Sequence, residues 1–383
     1  MVSTEMSSLV ESGCPYMDGL AVAPARRGTS LLLAPLDSDA DKALASVLHR
    51  GGYSCKRRGE LLFLPEPETR LAALRGTLNG FLPKALHSRV KAALLGFENG
   101  PKTLRAALLS AEPLPRFFER EEVAWVRDAL KDDWLFSVYH PILNAQTGDH
   151  FAYEALIRAR HPITNEILSA GRLIDGCTRL NLQHQLDLQA RLSAIRGAAE
   201  LNRPGERFFI NFLPAAVYDP AKSLQITLEA AAEVGIQTKQ LVFEVVETEE
   251  IEDPASLRKL LDFYREKGVG IALDDIGSGF SSLQHLTDLQ PDYVKIDRHI
   301  CASAATISAA RHTLTSIVGL ARKIGSKVVA EGIETEKQMA VCVNAGVDFL
   351  QGFLFAQPAA PPEAVAAHYF HKADCTPPGS PRI

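Results

Sequence analysis

The stretch Ile271-Ala-Leu-Asp-Asp-Ile-Gly-Ser-Gly-Phe-Ser-Ser-Leu283 runs from apolar residues straight into two adjacent carboxylates, Asp274 and Asp275. Gly277 and Gly279 follow where the backbone must turn sharply, and Ser281-Ser282 can cap a helix beginning near Leu283. Two acids at a strand end suit a hard divalent cation. A polar strand-to-helix loop would explain this stretch alone, but other polar residues end apolar runs in the same way. Glu154 lies in Tyr-Glu-Ala-Leu, Asn211 closes a run of Phe and Ile, and Glu244 is followed by Glu247. Lys295 stands near Asp297, Glu331 is followed by Glu334, and Gln351 lies in the last run. Any one of these could be a solvated strand end. As a set they are not, because Glu154, Glu244 and Lys295 have apolar neighbours that read as interior, and a buried charge is costly unless paired or bound to metal. Residues three apart on a strand face opposite sides. Glu244 is therefore read as a ligand and Glu247 as a loop-holding residue; by the same reasoning Glu331 faces the site and Glu334 supports it.

Carboxylates with an Asn carbonyl form an oxygen site suited to Mg²⁺ or Mn²⁺. Glu154, Asn211, Glu244, Asp274 and Asp275 hold too many acids for one ion, whereas two ions roughly 3.5–4 Å apart would use them. Such a pair serves in-line displacement at phosphorus. Lys295, the one cation of the set, could hold the attacking water or stabilise developing charge, and Glu331 could orient that water or accept its proton. His140 and His161 lie near strands and are read as structural or exposed. No Ser–His–Asp grouping, nicotinamide fingerprint or P-loop is evident.

The elements that must position these residues alternate. Strands are expected over Phe136–Leu143, Phe151–Ile157, Phe208–Phe212, Val242–Val246, Val269–Leu273, Tyr293–Ile296, Lys327–Ala330 and Phe349–Gly352, with helices between, including one over Leu173–Leu201. Apolar strands alternating with helices imply a parallel sheet covered by helices. Eight of them over residues 116–371 fit a closed (β/α)8 TIM barrel, with polar residues at the carboxyl-end face where such barrels do chemistry. Residues 144–150 are too short for a helical crossover, so the first strand should be antiparallel. The fold class is α/β: a modified barrel preceded by a small α/β domain. That domain, residues 1–115, is read as a loose leader to residue 28, a strand at Leu31–Pro35 and a helix over Asp37–Leu48. A hairpin around Gly59-Glu60, a mostly helical stretch Glu68–Leu95, a short helix Thr103–Leu109 and a linker at Pro113 and Pro115 follow. An amphipathic helix is expected over Glu119–Lys131 and a disordered tail over 372–383. A sensory or regulatory role, with its own ligand or partner, is the default for residues 1–115, and Lys56-Arg57-Arg58 reads as a solvated face.

At 383 residues, 46% apolar, 23% charged and net −5, the chain has an ordinary globular composition and gives no electrostatic case for a nucleic-acid polymer or an anionic membrane. The six cysteines, at positions 14, 55, 177, 301, 342 and 375, show no metal-type spacing and suggest reduced thiols in a cytoplasm. Met1–Ala23 is too polar for a signal peptide, and no apolar run approaches the ~20 residues of a membrane helix.

Glu154-Ala-Leu156 with Arg158, Asp274-Asp-Ile-Gly-Ser-Gly-Phe-Ser-Ser-Leu283, Lys295-Ile-Asp297, Ala330-Glu-Gly-Ile-Glu334 and Gln351-Gly352 together resemble, in order and over about residues 118–370, the EAL-domain cyclic di-GMP phosphodiesterases. The resemblance implies a barrel with an antiparallel first strand that cuts cyclic di-GMP to the linear dinucleotide 5'-pGpG with two Mg²⁺ or Mn²⁺ ions and is inhibited by Ca²⁺. It makes Glu154, Asn211, Glu244, Asp274 and Asp275 metal ligands, sets Lys295 and Glu331 on the water, and has Glu247 pin the loop after Asp275. It places Arg158, Gln351, Asp297 and Leu156 at the substrate, with Arg158 on a phosphate. It also implies a homodimer through the barrel, coupled to the N-terminal domain. The sequence departs from the family at Ile276, Ser278 and Phe280, where Phe, Thr and Tyr are usual. It departs again over Ala159–Leu168, which lacks the usual Trp and Gly-rich turn, a change bearing on substrate affinity. The competing reading is a receptor that binds cyclic di-GMP without cutting it. Such members lose a ligand carboxylate, the Lys or the loop-holding Glu, all retained here.

Overall fold

The computed structural model describes residues 30–65, 71–95, 101–201, 205–214, 219–245, 254–277 and 282–360, in two compact units, residues 1–128 and 129–383. The leader, the tail and Glu247 lie outside the described residues.

In the first unit, β1 (Ser30–Pro35), β2 (Lys56–Arg58), β3 (Leu61–Pro65), β4 (Val90–Leu95) and β5 (Glu112–Pro113) form an antiparallel sheet in the order β2-β3-β1-β4-β5. β1 is apolar at successive positions because both faces are covered. Leu31 and Leu33 pack with Leu44 and Leu48 of the helix Ser38–Arg50, and Leu32 packs on the other face with Leu95 and Ala107. Asp37 starts that helix by accepting the N–H groups of Asp39 and Ala40 at 3.1 and 2.9 Å.

Three expectations fail here. The helical stretch expected over Glu68–Leu95 gives a helix, Leu71–Phe81, one turn at Lys84–His87, and then a strand. Val90-Lys-Ala-Ala-Leu-Leu95 carries either period, and antiparallel pairing with β1 over six positions decides it. Pro113 and Pro115 are not a linker: they open the helix Leu114–Glu122, where a missing N–H costs nothing. The amphipathic helix expected over Glu119–Lys131 is two helices, Leu114–Glu122 and Trp125–Lys131.

The second unit is the barrel. Its strands are β6 (Leu135–Asn144), β7 (His150–Arg160), β8 (Ile167–Leu168), β9 (Arg207–Phe212), β10 (Leu241–Val245), β11 (Gly270–Ile276), β12 (Tyr293–Ile296), β13 (Lys327–Ala330) and β14 (Phe349–Leu350). The order is β6-β14-β13-β12-β11-β10-β9-β7, closed by β7 pairing back on β6, with β8 appended to β7. β6 is antiparallel to both of its neighbours, as the short 144–150 connection requires. The remaining barrel pairs are parallel, with helices over them. The helix expected over Leu173–Leu201 is broken into Ala170–Leu180 and Gln183–Leu201, because Asn181 adopts the left-handed conformation (φ 55°) and ends the first.

The barrel interior is layered. Ile142, Ala152, Phe209, Val242, Ala272, Tyr293, Val329 and Phe349, one from each barrel strand, pack into a single apolar cluster. Two residues further toward the carboxyl end, the same inward face carries Glu154, Asn211, Glu244, Asp274, Lys295, Glu331 and Gln351. On β6, which runs the other way, the corresponding residue is His140, two before Ile142 and paired in register with Glu154. An apolar floor thus lies under a polar layer. Each fully buried large side chain of that floor contributes about 1.5–3 kcal/mol, which offsets part of the cost of the charges above it.

Candidate active site

Lys295 is the centre of the polar layer, with only 1% of its side chain exposed. Its Nζ lies 2.6 Å from Glu331 Oε1, 2.8 Å from Glu244 Oε1, 3.1 Å from Asp274 Oδ1 and 3.4 Å from Glu154 Oε1. These acids come from β7, β10, β11 and the end of β13, while Lys295 lies on β12. Burial by itself pulls the Lys295 ammonium down, but the four carboxylates outweigh it and hold it well above the usual lysine range. Glu244, wholly buried, is pushed well above the ordinary carboxylate range by burial and by Glu154 and Asp274, against the pull of Lys295. Burial likewise raises Glu331, opposed by Lys295 and reinforced by Asp274 and Glu154.

Asp274 and Asp275 reach the same place by a local distortion. Adjacent strand residues point to opposite faces, so a regular strand would send one of them away. The register with β12 slips between Leu273 and Ile276, and Asp275 takes φ 55°. This bulge turns the Asp275 carboxylate back, and ligand oxygens of Asp274, Asp275 and Glu331 lie within 4.8 Å of one another. The Asp275 N–H donates to Asp274 Oδ1 at 3.0 Å. Burial raises the Asp275 carboxyl, with Asp274 and Asp297 adding to it.

The remaining expected residues take distinct places. Asn211 is the register partner of Glu244. Gln351 Nε2 donates to Glu154 Oε2 at 2.7 Å, fixing both side chains. Leu156 and Arg158 follow Glu154 on the same face of β7, both half-buried. Arg158 Nη1 donates to the Ile157 carbonyl at 2.8 Å, and burial lowers its guanidinium. Asp297 accepts the His299 N–H at 2.9 Å and caps the helix Arg298–Ala304. Glu334 is exposed, in the turn where its N–H donates to Gln338 Oε1 at 2.7 Å. His140, read as structural or exposed, is buried and lies in the polar layer, its ring 5.8 Å from that of Phe353. Burial holds its imidazole below the usual range, with Glu154 opposing. Its pairing with Glu154 across the 144–150 turn was the signal in the sequence.

The donor set fits divalent cations. Glu154, Glu244, Asp274, Asp275 and Glu331 are five carboxylates, and among the described residues Lys295 supplies the only ion pairs of the four it touches. Glu244 Oε2 is buried with no hydrogen-bond partner among the described residues. A single ammonium with three N–H groups cannot satisfy these acids, and the oxygens left over are hard ligands.

A family model described as "EAL domain" matches residues 123–358. The cyclic di-GMP phosphodiesterase NbdA of Pseudomonas aeruginosa is 32% identical over 254 residues, covering 65% of this chain and 32% of that protein. The chain spans 32 to 45% of the length of the first three curated relatives it matches. Among solved structures, the PaMucR phosphodiesterase in complex with c-di-GMP aligns with TM-score 0.55 at 28% identity, over 61% of this chain and 96% of that one. The Bacillus subtilis YkuI protein, which has an EAL domain and was solved with substrate c-di-GMP and calcium, aligns with TM-score 0.54 at 28% identity, over 61% and 58%.

Proposed function

The chain belongs to the EAL domain family, and from that premise we propose that it hydrolyses cyclic di-GMP to linear 5'-pGpG with two divalent cations, under the control of residues 1–115. The observation that carries this reading is the ring of acids around Lys295. A site built only to bind a phosphodiester anion has no use for an excess of buried carboxylates.

Glu154, Asn211, Glu244, Asp274 and Asp275 would hold the ions. What bound ions supply here is neutralisation of the phosphate charge and polarisation of the phosphoryl oxygens and of water. The chain's own residues do the rest. Arg158 meets a phosphate oxygen and sets the diester in line, and Lys295 directs a water lone pair at phosphorus through Nζ–H. The water oxygen bonds to phosphorus as the bond to the 3'-oxygen breaks. Glu331 takes the water proton, a role suited to a carboxylate 2.6 Å from the Lys295 ammonium that directs the water. The leaving 3'-oxygen takes a proton from solvent water, to which Glu331 later returns its own, giving a 5'-phosphate and a free 3'-hydroxyl. Gln351 holds Glu154 in its rotamer throughout.

The test is incubation of the purified chain with cyclic di-GMP and Mg²⁺ or Mn²⁺, with chromatography of the products and with chelator and calcium controls. Metal-dependent 5'-pGpG is expected. Binding of the dinucleotide with no product from the full chain or from the chain lacking residues 1–115 would replace the enzyme with a receptor.

A further inference from the structure

Behind the strand ends that carry Asn211 and Glu244, the helix Gln183–Leu201 buries an ion pair that the chemistry above does not use. Arg191 is 1% exposed and Asp187 8%. Arg191 Nη2 lies 2.7 Å from Asp187 Oδ2, one turn back on the helix, and donates to Ser223 Oγ at 2.8 Å. Arg191 Nη1 donates to Thr227 Oγ1 at 2.7 Å, and the Thr227 hydroxyl donates to the Ser223 carbonyl at 2.9 Å, so the guanidinium is anchored to the helix Pro220–Glu233.

Both members of the pair also grip the barrel. Asp187 Oδ1 accepts the N–H of Leu213 at 2.9 Å; Leu213 is the residue after β9 and two beyond Asn211. The Arg191 guanidinium carbon lies 5.7 Å from the Phe212 ring centre and 5.8 Å from that of Phe243. Those two rings stack at 5.4 Å and 20°. Phe212 follows Asn211 and Phe243 precedes Glu244, so the rings point outward where the two oxygen donors point inward. Asn211 and Glu244 are themselves register partners.

A buried pair of this kind is weak evidence for stability, since well-packed apolar residues of the same volume often do as well. What apolar residues could not do is accept the Leu213 N–H. We infer that Asp187 and Arg191 are positioning residues for the divalent-ion site. Asp187 fixes the backbone at the end of β9, Arg191 fixes the two rings that set β9 against β10, and together they place the Asn211 and Glu244 oxygens. This rests on the phosphodiesterase reading above.

The experiment titrates Mn²⁺ binding to the full chain without substrate, following free Mn²⁺ by electron paramagnetic resonance, with melting temperatures alongside. The variants are Asp187→Leu, which removes the acceptor of the Leu213 N–H, the volume-matched D187L/R191M, and Ser223→Ala/Thr227→Val, which keeps the pair but removes its outer anchors. Ile195→Ala is the control: it removes buried apolar volume from the same helix and leaves every hydrogen bond of the pair in place. The apparent Mn²⁺ dissociation constant is expected to rise about tenfold or more in the first two variants and by a smaller factor in the third, as for residues that orient metal ligands. Ile195→Ala should leave it near the wild-type value even where its melting temperature falls further. Wild-type Mn²⁺ affinity in any folded variant lacking Asp187 overturns the inference, as does an equal loss in Ile195→Ala. Should Asp187→Leu and D187L/R191M both fail to fold, an unchanged constant in Ser223→Ala/Thr227→Val overturns it. A wild-type chain that neither binds Mn²⁺ nor cleaves cyclic di-GMP sinks the phosphodiesterase reading instead.

Discussion

At the scale of single residues, Lys295 has two jobs that separate experimentally. It compensates four carboxylates in the ion-free protein, and in the proposed reaction it directs the water. Lys295→Met keeps the length of the side chain and removes the charge. It should lower turnover by about 10²–10³-fold, the usual loss for a preorganised charged donor. Lys295→Arg should not rescue it, because a planar fork cannot replace a compact ammonium among four acids. Steady-state kinetics at saturating Mn²⁺ checks both, and near-normal turnover in Lys295→Met would remove the role. The acids carry a stability signature with a definite sign. Glu244 and Glu331 are raised well above their ordinary value of 4.5, so in the ion-free fold they keep protons that the unfolded chain has released. Stability should therefore fall as pH rises from about 4.5 through the raised folded values. His140, held low by burial, contributes the opposite slope below about 6.5, where the unfolded imidazole binds a proton and the folded one does not. Subtracting Glu244→Gln from wild type removes the His140 contribution. Urea unfolding in chelator at about pH 5 and about pH 8 should then show wild type losing more stability than Glu244→Gln as pH rises. Parallel losses would mean that Glu244 titrates normally.

At the scale of elements, the bulge in β11 converts two neighbours in sequence into two groups at one site. Holding a non-glycine residue at positive φ costs about 1–2 kcal/mol, least for Asp and Asn, whose short polar side chains tolerate it. Asp275→Asn should keep the conformation and the melting temperature but weaken Mn²⁺ binding. Asp275→Val should weaken binding and also lose about 1–2 kcal/mol, since a β-branched side chain resists this region. Calorimetry with Mn²⁺ titration separates the two effects, and equal stability of both variants would mean that the backbone relaxes there. The bulge also marks where the sequence stops being readable. Eight barrel strands could be read because each is a short run rich in β-branched, aromatic and other apolar residues. The inward acids could be read because apolar neighbours flank them, as in Val242-Phe-Glu-Val245. The left-handed turn at Asp275 could not, because backbone conformation at a single Asp leaves no periodic trace. Val90–Leu95 was lost for a different reason: Ala and Leu suit either element, and only β1 beside it makes it a strand. His140 was missed because β6 runs backwards, so its polar residue precedes its apolar one.

At the scale of the whole molecule, each unit has a core of its own. Leu31, Leu44, Leu64, Leu78 and Phe117 belong to one cluster, and Phe208, Phe243, Ile271, Ile296 and Val328 to another. Units with separate cores can melt separately. The acids proposed to hold the ions belong to the second unit alone, so Mn²⁺ is expected to bind only the native form of that unit. It should stabilise that unit by about 2.7 kcal/mol at a hundredfold excess of free ion over the dissociation constant. Calorimetry of the full chain is therefore expected to resolve two transitions, one moving up with Mn²⁺ and one staying in place. Cyclic di-GMP with Ca²⁺ should raise the moving transition further, since the proposed ligand meets the same polar layer. Chelator should return it to its starting position. A single transition that shifts as a whole would show that the units unfold together. The ion would then stabilise the first unit as well, and thermodynamic linkage would give residues 1–128 a direct route to the chemistry of the second.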